Sequence, residues 1–143
     1  MLLHRPGFWI SIALLLVLLQ MPVHAEWAAM DQRYQSPGLQ TVYVDHDSIR
    51  QEGNLVTLSA LIDWNWMQGN RSPTRFYSTR LTKQFDCVDK HVRTLATTDF
   101  YGHMGTGQAI GGGGYTSESE WVGIKLGTIN QGLLEVACGK ESE

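Results

Sequence analysis

Cys87 and Cys138 are the two cysteines of this 143-residue sequence, and their thiols are its most reactive candidate groups. Nucleophilic work would need a thiolate activated by a neighbouring cation or base. Metal binding would need further ligands at a suitable spacing, which the isolated histidines do not supply, so no metal site is expected. His46 stands between Asp45 and Asp47. Neighbours on an extended chain point to opposite faces, however, so the triplet does not converge on a cation. His91, His103, Met104 and Tyr101 are the remaining side chains suited to a small-ligand pocket. Ser48, Ser59 and Ser78 lack the strand–turn–helix elbow of a nucleophilic serine. The run Gly105-Thr106-Gly107-Gln108-Ala109-Ile110-Gly111 lacks the Lys-Ser/Thr ending of a phosphate loop, and no helix follows to aim its amides. No catalytic set emerges.

One charge pattern rises above the background. Between Arg71 and Arg93 the cations are Arg71, Arg75, Arg80, Lys83, Lys90 and Arg93, against Asp86 and Asp89 alone. The whole chain carries a formal charge of -3, which excludes a nucleic-acid binder acting through overall basicity. A local cationic surface with Phe76 and Tyr77 among its charges suits an acidic macromolecular partner instead. Arg75, Arg80, Lys83 and Arg93 are the residues expected to present it from a sheet surface. The same charges would also serve simply to keep a solvated strand from aggregating.

These groups need a scaffold and a compartment. His4 and Arg5 precede an apolar run of about a dozen residues, too short to span a bilayer comfortably, and Val23-His24-Ala25 ends it on a small residue. Residues 1–25 therefore predict a signal peptide, with one domain over 26–143. No cysteine lies at that junction, so a soluble, not lipid-anchored, periplasmic or secreted protein is expected, with no transmembrane segment after cleavage. In an oxidising compartment an even cysteine pair reads as a disulfide. Closing a loop of about 52 residues contributes roughly 4 kcal/mol in the chain-entropy treatment.

Thr41–Asp45 reads as a short strand, Asp45–Ser48 as turn and capping groups, and Glu52-Gly53-Asn54 as a second turn. From Leu55 to Trp66 apolar and polar residues alternate, predicting a strand with one face buried and one wet. Met67–Pro73 reads as a loop, Arg75–Phe85 and Val92–Tyr101 as further strands. The seven glycines from Gly102 to Gly114 predict a mobile loop interrupted by a strand at Gln108-Ala109-Ile110. Thr128 caps a helix with the stripe Ile129, Leu133, Leu134, Ala137 and Cys138, which Gly139 stops. Gly132 weakens its first turn. The fold class is α+β: a small antiparallel sheet of about six strands, with the C-terminal helix packed on one face and tethered by Cys87–Cys138.

Several segments together resemble the surface-adhesin protein E family. They are Val42-Tyr43-Val44-Asp45 with Asp47-Ser48-Ile49, Tyr77-Ser78, Phe85-Asp86-Cys87, Thr98-Asp99-Phe100-Tyr101 with Gly105-Thr106-Gly107, and Leu133 to Cys138. The similarity runs roughly from Tyr43 to Gly139, and it rests on the order of the pieces and the placement of both cysteines. It implies an exported, non-enzymatic binding module without a resident cofactor, contacting host extracellular-matrix proteins or other envelope proteins. A haem-like ligand near His91, His103, Met104 and Tyr101 is the alternative, and an envelope structural or interaction protein a third.

Overall fold

The computed structural model describes residues 26–36, 38–69, 75–111 and 120–139. The leader and its cleavage junction lie outside the described residues, as do Gly112–Gly114 and most of the loop before Arg75. Strands β1 (Trp27–Ala29), β2 (Gln40–Glu52), β3 (Leu55–Gln68), β4 (Phe76–Asp86), β5 (His91–Phe100) and β6 (Ala109–Gly111) pair in chain order, and β7 (Val122–Gly123) pairs with β5. All these pairings are antiparallel. One helix, α1 (Ile129–Cys138), follows. Short 3₁₀ turns occupy Gln32–Tyr34 and His103–Gly105.

Local chemistry explains the joints. Glu52 faces Leu55, leaving Gly53 and Asn54 as a two-residue hairpin turn whose glycine has φ 61°, a conformation glycine adopts without steric cost. Between β4 and β5, Asp86 Oδ1 accepts the amides of Val88 and Asp89, and Lys90 closes the turn at φ 55°. Thr128 accepts the Gln131 amide at the start of α1, and Gly139, at φ 86°, ends it by donating its amide to Glu135 O.

Directly opposed residues share a face, so the register defines two of them. The first carries Val42, Val44, Leu58, Ala60, Phe85 and Val92, all buried. Leu133 of α1 belongs to the same buried cluster, as do Met30 and Tyr34, with Ile129, Leu134, Ala137 and Cys138 against it. The second face carries Leu61, Arg80 and Thr98 in one row and Asp63, Ser78 and Phe100 in the next. Cys87 and Cys138 are bonded, their α-carbons 5.6 Å apart.

Two sequence expectations need correction. Asp45–Ser48 does not end a strand; β2 continues through it with a shift of register between Asp45 and Arg50. Ser48 Oγ donates to Asp45 O at 2.6 Å and accepts the Ser59 amide at 2.8 Å, so a side chain fills the gap in the ladder. The alternation of β3 also breaks down. Leu61, on the nominally wet parity, is completely buried, whereas Trp66, on the apolar parity, is 70% exposed. Leu61 lies under the 3₁₀ turn, where a Cβ on Gly105 would sit 3.5 Å from its Cδ1. The described part of the glycine-rich segment forms that turn and β6, one residue on from the strand expected at Gln108-Ala109-Ile110.

Candidate functional site

The cations expected to act together divide between the two faces. Arg80 and Lys83 are three positions apart on β4, an odd spacing that sends them to opposite sides of a pleated strand. Lys83 faces Leu58 across the ladder and donates to Asn130 Oδ1 of α1 at 3.0 Å. It therefore leaves the expected basic surface. Burial pushes its pKa below the ordinary lysine value.

That burial makes a signed prediction. Below the folded-state pKa both states hold the proton, and the desolvated charge costs stability. As pH rises from there towards the ordinary lysine value, the unfolded chain binds more protons, so stability increases with pH. Lys83→Met removes the buried charge. It is expected to raise stability near pH 7 by on the order of 1 kcal/mol, or about 5 °C, and to abolish the alkaline rise. Melting curves of both proteins from pH 7 to 10.5 check this; a lower melting temperature for the variant would refute it.

Arg80 and Arg93 lie on the second face. Arg80 faces Leu61 and Thr98, and its guanidinium carbon stands 5.3 Å from the Phe100 ring centroid. Arg93 faces Gln84, whose Oε1 accepts from Arg93 Nε at 2.8 Å, and lies 4.5 Å over the Trp121 ring. Trp121 immediately precedes the residues that pair β7 with Val92 and His91, which brings it beside Arg93. Each guanidinium is thus held over an aromatic ring, an arrangement that fixes a flexible side chain in place. Arg75 instead ends the strand: it bonds the Tyr101 hydroxyl, stacks 5.0 Å over that ring, and buries Nε without a partner.

The histidine set also divides. His103, Met104 and Tyr101 meet in the turn after β5, whereas His91 begins β5, about 30 Å away along the strand. Asp63 Oδ1 accepts the Met104 amide at 2.8 Å and lies 3.1 Å from His103 Nδ1. The Tyr77 ring is 4.7 Å from the imidazole. Ser78, completely buried, donates to Gly102 O and accepts the Gly105 amide. Its hydroxyl is committed to the backbone, so Ser78, His103 and Asp63 hold a turn rather than form a nucleophilic set. Among the described residues no cluster of three His, Cys, Asp or Glu side chains converges as a metal site.

A concavity lies elsewhere. A half-open groove of about 580 Å³ runs beside the disulfide, lined by Ile124, Leu126 and Leu134, with Arg33, Lys90 and Glu135 at its edges. None of His91, His103, Met104 or Tyr101 lines it. Missed in the sequence were the stacking partners Phe100 and Trp121. The aromatic–threonine composition of β5 was visible, but its register with β4 was not.

The described residues form a seven-stranded antiparallel sheet and a helix at Ile129–Cys138, with a disulfide between the β4–β5 turn and that helix, and these can be compared with known proteins. The family model described as surface-adhesin protein E matches residues 27–139. The chain belongs to the surface-adhesin protein E family. Solved structures of Haemophilus influenzae protein E share the fold. One aligns with a TM-score of 0.59 at 15% identity, covering 85% of this chain and 92% of that one. A second crystal form gives 0.60 at 14% identity, covering 82% and 90%. Protein E from non-typeable Haemophilus influenzae gives 0.56 at 14%, covering 82% and 79%. No curated protein matches the chain. Surface-adhesin membership implies an exported or cell-surface protein, and among the described residues no helix is long and apolar enough to cross a membrane.

Proposed function

We propose that the chain is an exported binding protein without catalytic chemistry, which meets a macromolecular partner through the sheet face bearing Arg80 and Arg93. Residues 1–25 direct export and are removed, and 26–143 act as one domain. Helix α1 lies on the opposite face, and the part of this one that the 3₁₀ turn does not cover at Leu61 and Ser78 is the surface offered to a host matrix or envelope protein. The observation that carries the reading is the paired stacking of Arg80 on Phe100 and Arg93 on Trp121. A guanidinium already ordered loses less conformational freedom when it meets a carboxylate or sulfate.

The test is binding of the oxidised protein to immobilised matrix proteins across a salt series. Binding is expected to weaken at least fivefold between 50 and 500 mM salt, as screened surface charges require. The pair Arg80→Ala and Arg93→Ala should reproduce that loss, and Lys83→Ala should not. Salt-insensitive binding, or retention in the double variant, would refute the proposed surface.

The groove beside the disulfide favours a second reading, a small-ligand protein, because about 580 Å³ lies within the range of small-molecule sites. A haem titration reads it: a Soret shift that survives His103→Ala supports the groove, and an unchanged spectrum counts against it.

A further inference from the structure

We infer that side chains of this chain close the outer edge of β2, and that Arg50 in particular keeps a second copy from adding to the sheet there. β2 has thirteen residues, but among the described residues β1 covers it only at Tyr43, Val44 and Asp45. A strand edge that presents unpaired amides and carbonyls is a template for another strand.

On both sides of the β1 pairing, side chains take the place of a neighbouring strand. Before it, the Gln35 carboxamide acts as a backbone would: Oε1 accepts the Val42 amide at 2.6 Å, and Nε2 donates to Val42 O at 3.0 Å. Beyond it, Asp45 Oδ1 accepts the Asp47 amide at 3.1 Å. Arg50 Nη1 then donates to Asp47 O at 2.8 Å and to Ile49 O at 2.9 Å.

The register places the Ile49 carbonyl on the outer side. Val42 O also accepts the Met30 amide, so the backbone of Val42 turns away from β3. Successive residues of an antiparallel strand alternate in this respect, and up to Asp45 the even-numbered ones turn outward. Asp45 faces Ser59 and Arg50 faces Thr57: five steps on β2 against two on β3, an excess of three. An odd excess reverses the alternation, so Ile49 and Gln51 turn outward beyond it. The strand that fits such an edge is the same edge of a second copy, paired about a two-fold axis. Centred on Ile49, that pairing would set Ser48 opposite Arg50, Asp47 opposite Gln51 and His46 opposite Glu52, with no like charges facing. Charge does not forbid the pairing; the occupied carbonyls do. Arg50 is exposed and lies outside the core cluster, so removing its side chain opens the edge without opening the fold.

The experiment is sedimentation equilibrium of the full oxidised protein and three variants over a fiftyfold range of concentration, with amide exchange measured at the highest. Arg50→Ala is expected to self-associate at least tenfold more tightly than the native chain, and Arg50→Gln, whose carboxamide is shorter, to do the same. Arg80→Ala removes one positive charge from the sheet and no bond to a β2 carbonyl, and it should match the native chain. In the associated Arg50→Ala protein the amides of Ile49 and Gln51 should gain at least fivefold protection, because they stand in the new ladder. Arg50 variants that associate no more tightly than the native chain would overturn the inference. So would equal association of Arg80→Ala, which would make lost charge the cause, or association that leaves Ile49 and Gln51 unprotected, which would place the contact elsewhere.

Discussion

Replacing Cys87 and Cys138 together by serine is expected to lower stability by about 4 kcal/mol and the melting temperature by on the order of 15–20 °C. The bond joins residues separated by 51 positions, so its loss releases a long loop in the unfolded chain. It also fastens the weakest element. Helix α1 has ten residues, too few to be stable in water alone. Without the bond it is held by Leu133 in the core, by the Tyr34 hydroxyl donating to Glu135 at 2.8 Å, and by Lys83 on Asn130. Thermal unfolding followed at helix- and sheet-sensitive wavelengths checks this. The oxidised protein should melt in one step. The serine variant, or the native protein under reductant, should lose helical signal first. An unchanged midpoint after complete reduction would mean that the non-covalent contacts alone secure α1.

A second large effect is expected at Gly132, and its sign opposes helix propensity. In an exposed helix, glycine to alanine stabilises by about 1 kcal/mol. Here a Cβ would stand 2.6 Å from Tyr34 Cδ2, 2.7 Å from Cγ and 2.9 Å from Met30 Sδ. The tyrosine ring cannot swing away, because its hydroxyl is bound to Glu135 one turn nearer the helix end. Overpacking of this kind costs about 1–3 kcal/mol even for small additions. Gly132→Ala should therefore destabilise, and Gly132→Leu should do so by about 3 kcal/mol or more. The decisive measurement is a double-mutant cycle by denaturant unfolding. In a Tyr34→Ala background, Gly132→Ala should become stabilising. If the substitution destabilises equally in both backgrounds, the contact with Tyr34 is not its cause.

Gly132 shows what sequence alone could convey. Its presence in a helical stretch was plain, and propensity made it a weakness. Only the 98-residue return of the chain, which lays Tyr34 against it, turns the glycine into a packing site. The ends of α1 were legible because Thr128 and Gly139 act within one turn of themselves. The β2–β3 turn was legible for the same reason. Asp45–Ser48 carries equally local chemistry, but its bonds to the Ser59 amide require β3 beside it, and so a turn signal became a bulge. Lys83 could have been separated from Arg80 by parity alone. That Arg93 joins Arg80 could not have been found that way, because the register of β4 and β5 shifts between Thr82 and Lys83. The pairing of Arg93 with Trp121 depends on β7, whose two residues carry almost no periodic signal.

The strand order has a consequence for how this molecule is made. From β1 to β6 every strand lies beside its neighbour in the chain, so a hairpin can zip as soon as its second half arrives, and no earlier strand waits on a later insertion. The sulfur of Cys87 is the exception. It is delivered with the first half of the β4–β5 turn, yet its mate is the last residue of α1, and the ring therefore closes at the end of assembly. Any oxidant acting before the carboxyl-terminal residues emerge finds one thiol without its intramolecular mate, which makes the intermediate, rather than the finished protein, the species exposed to mispairing with other chains.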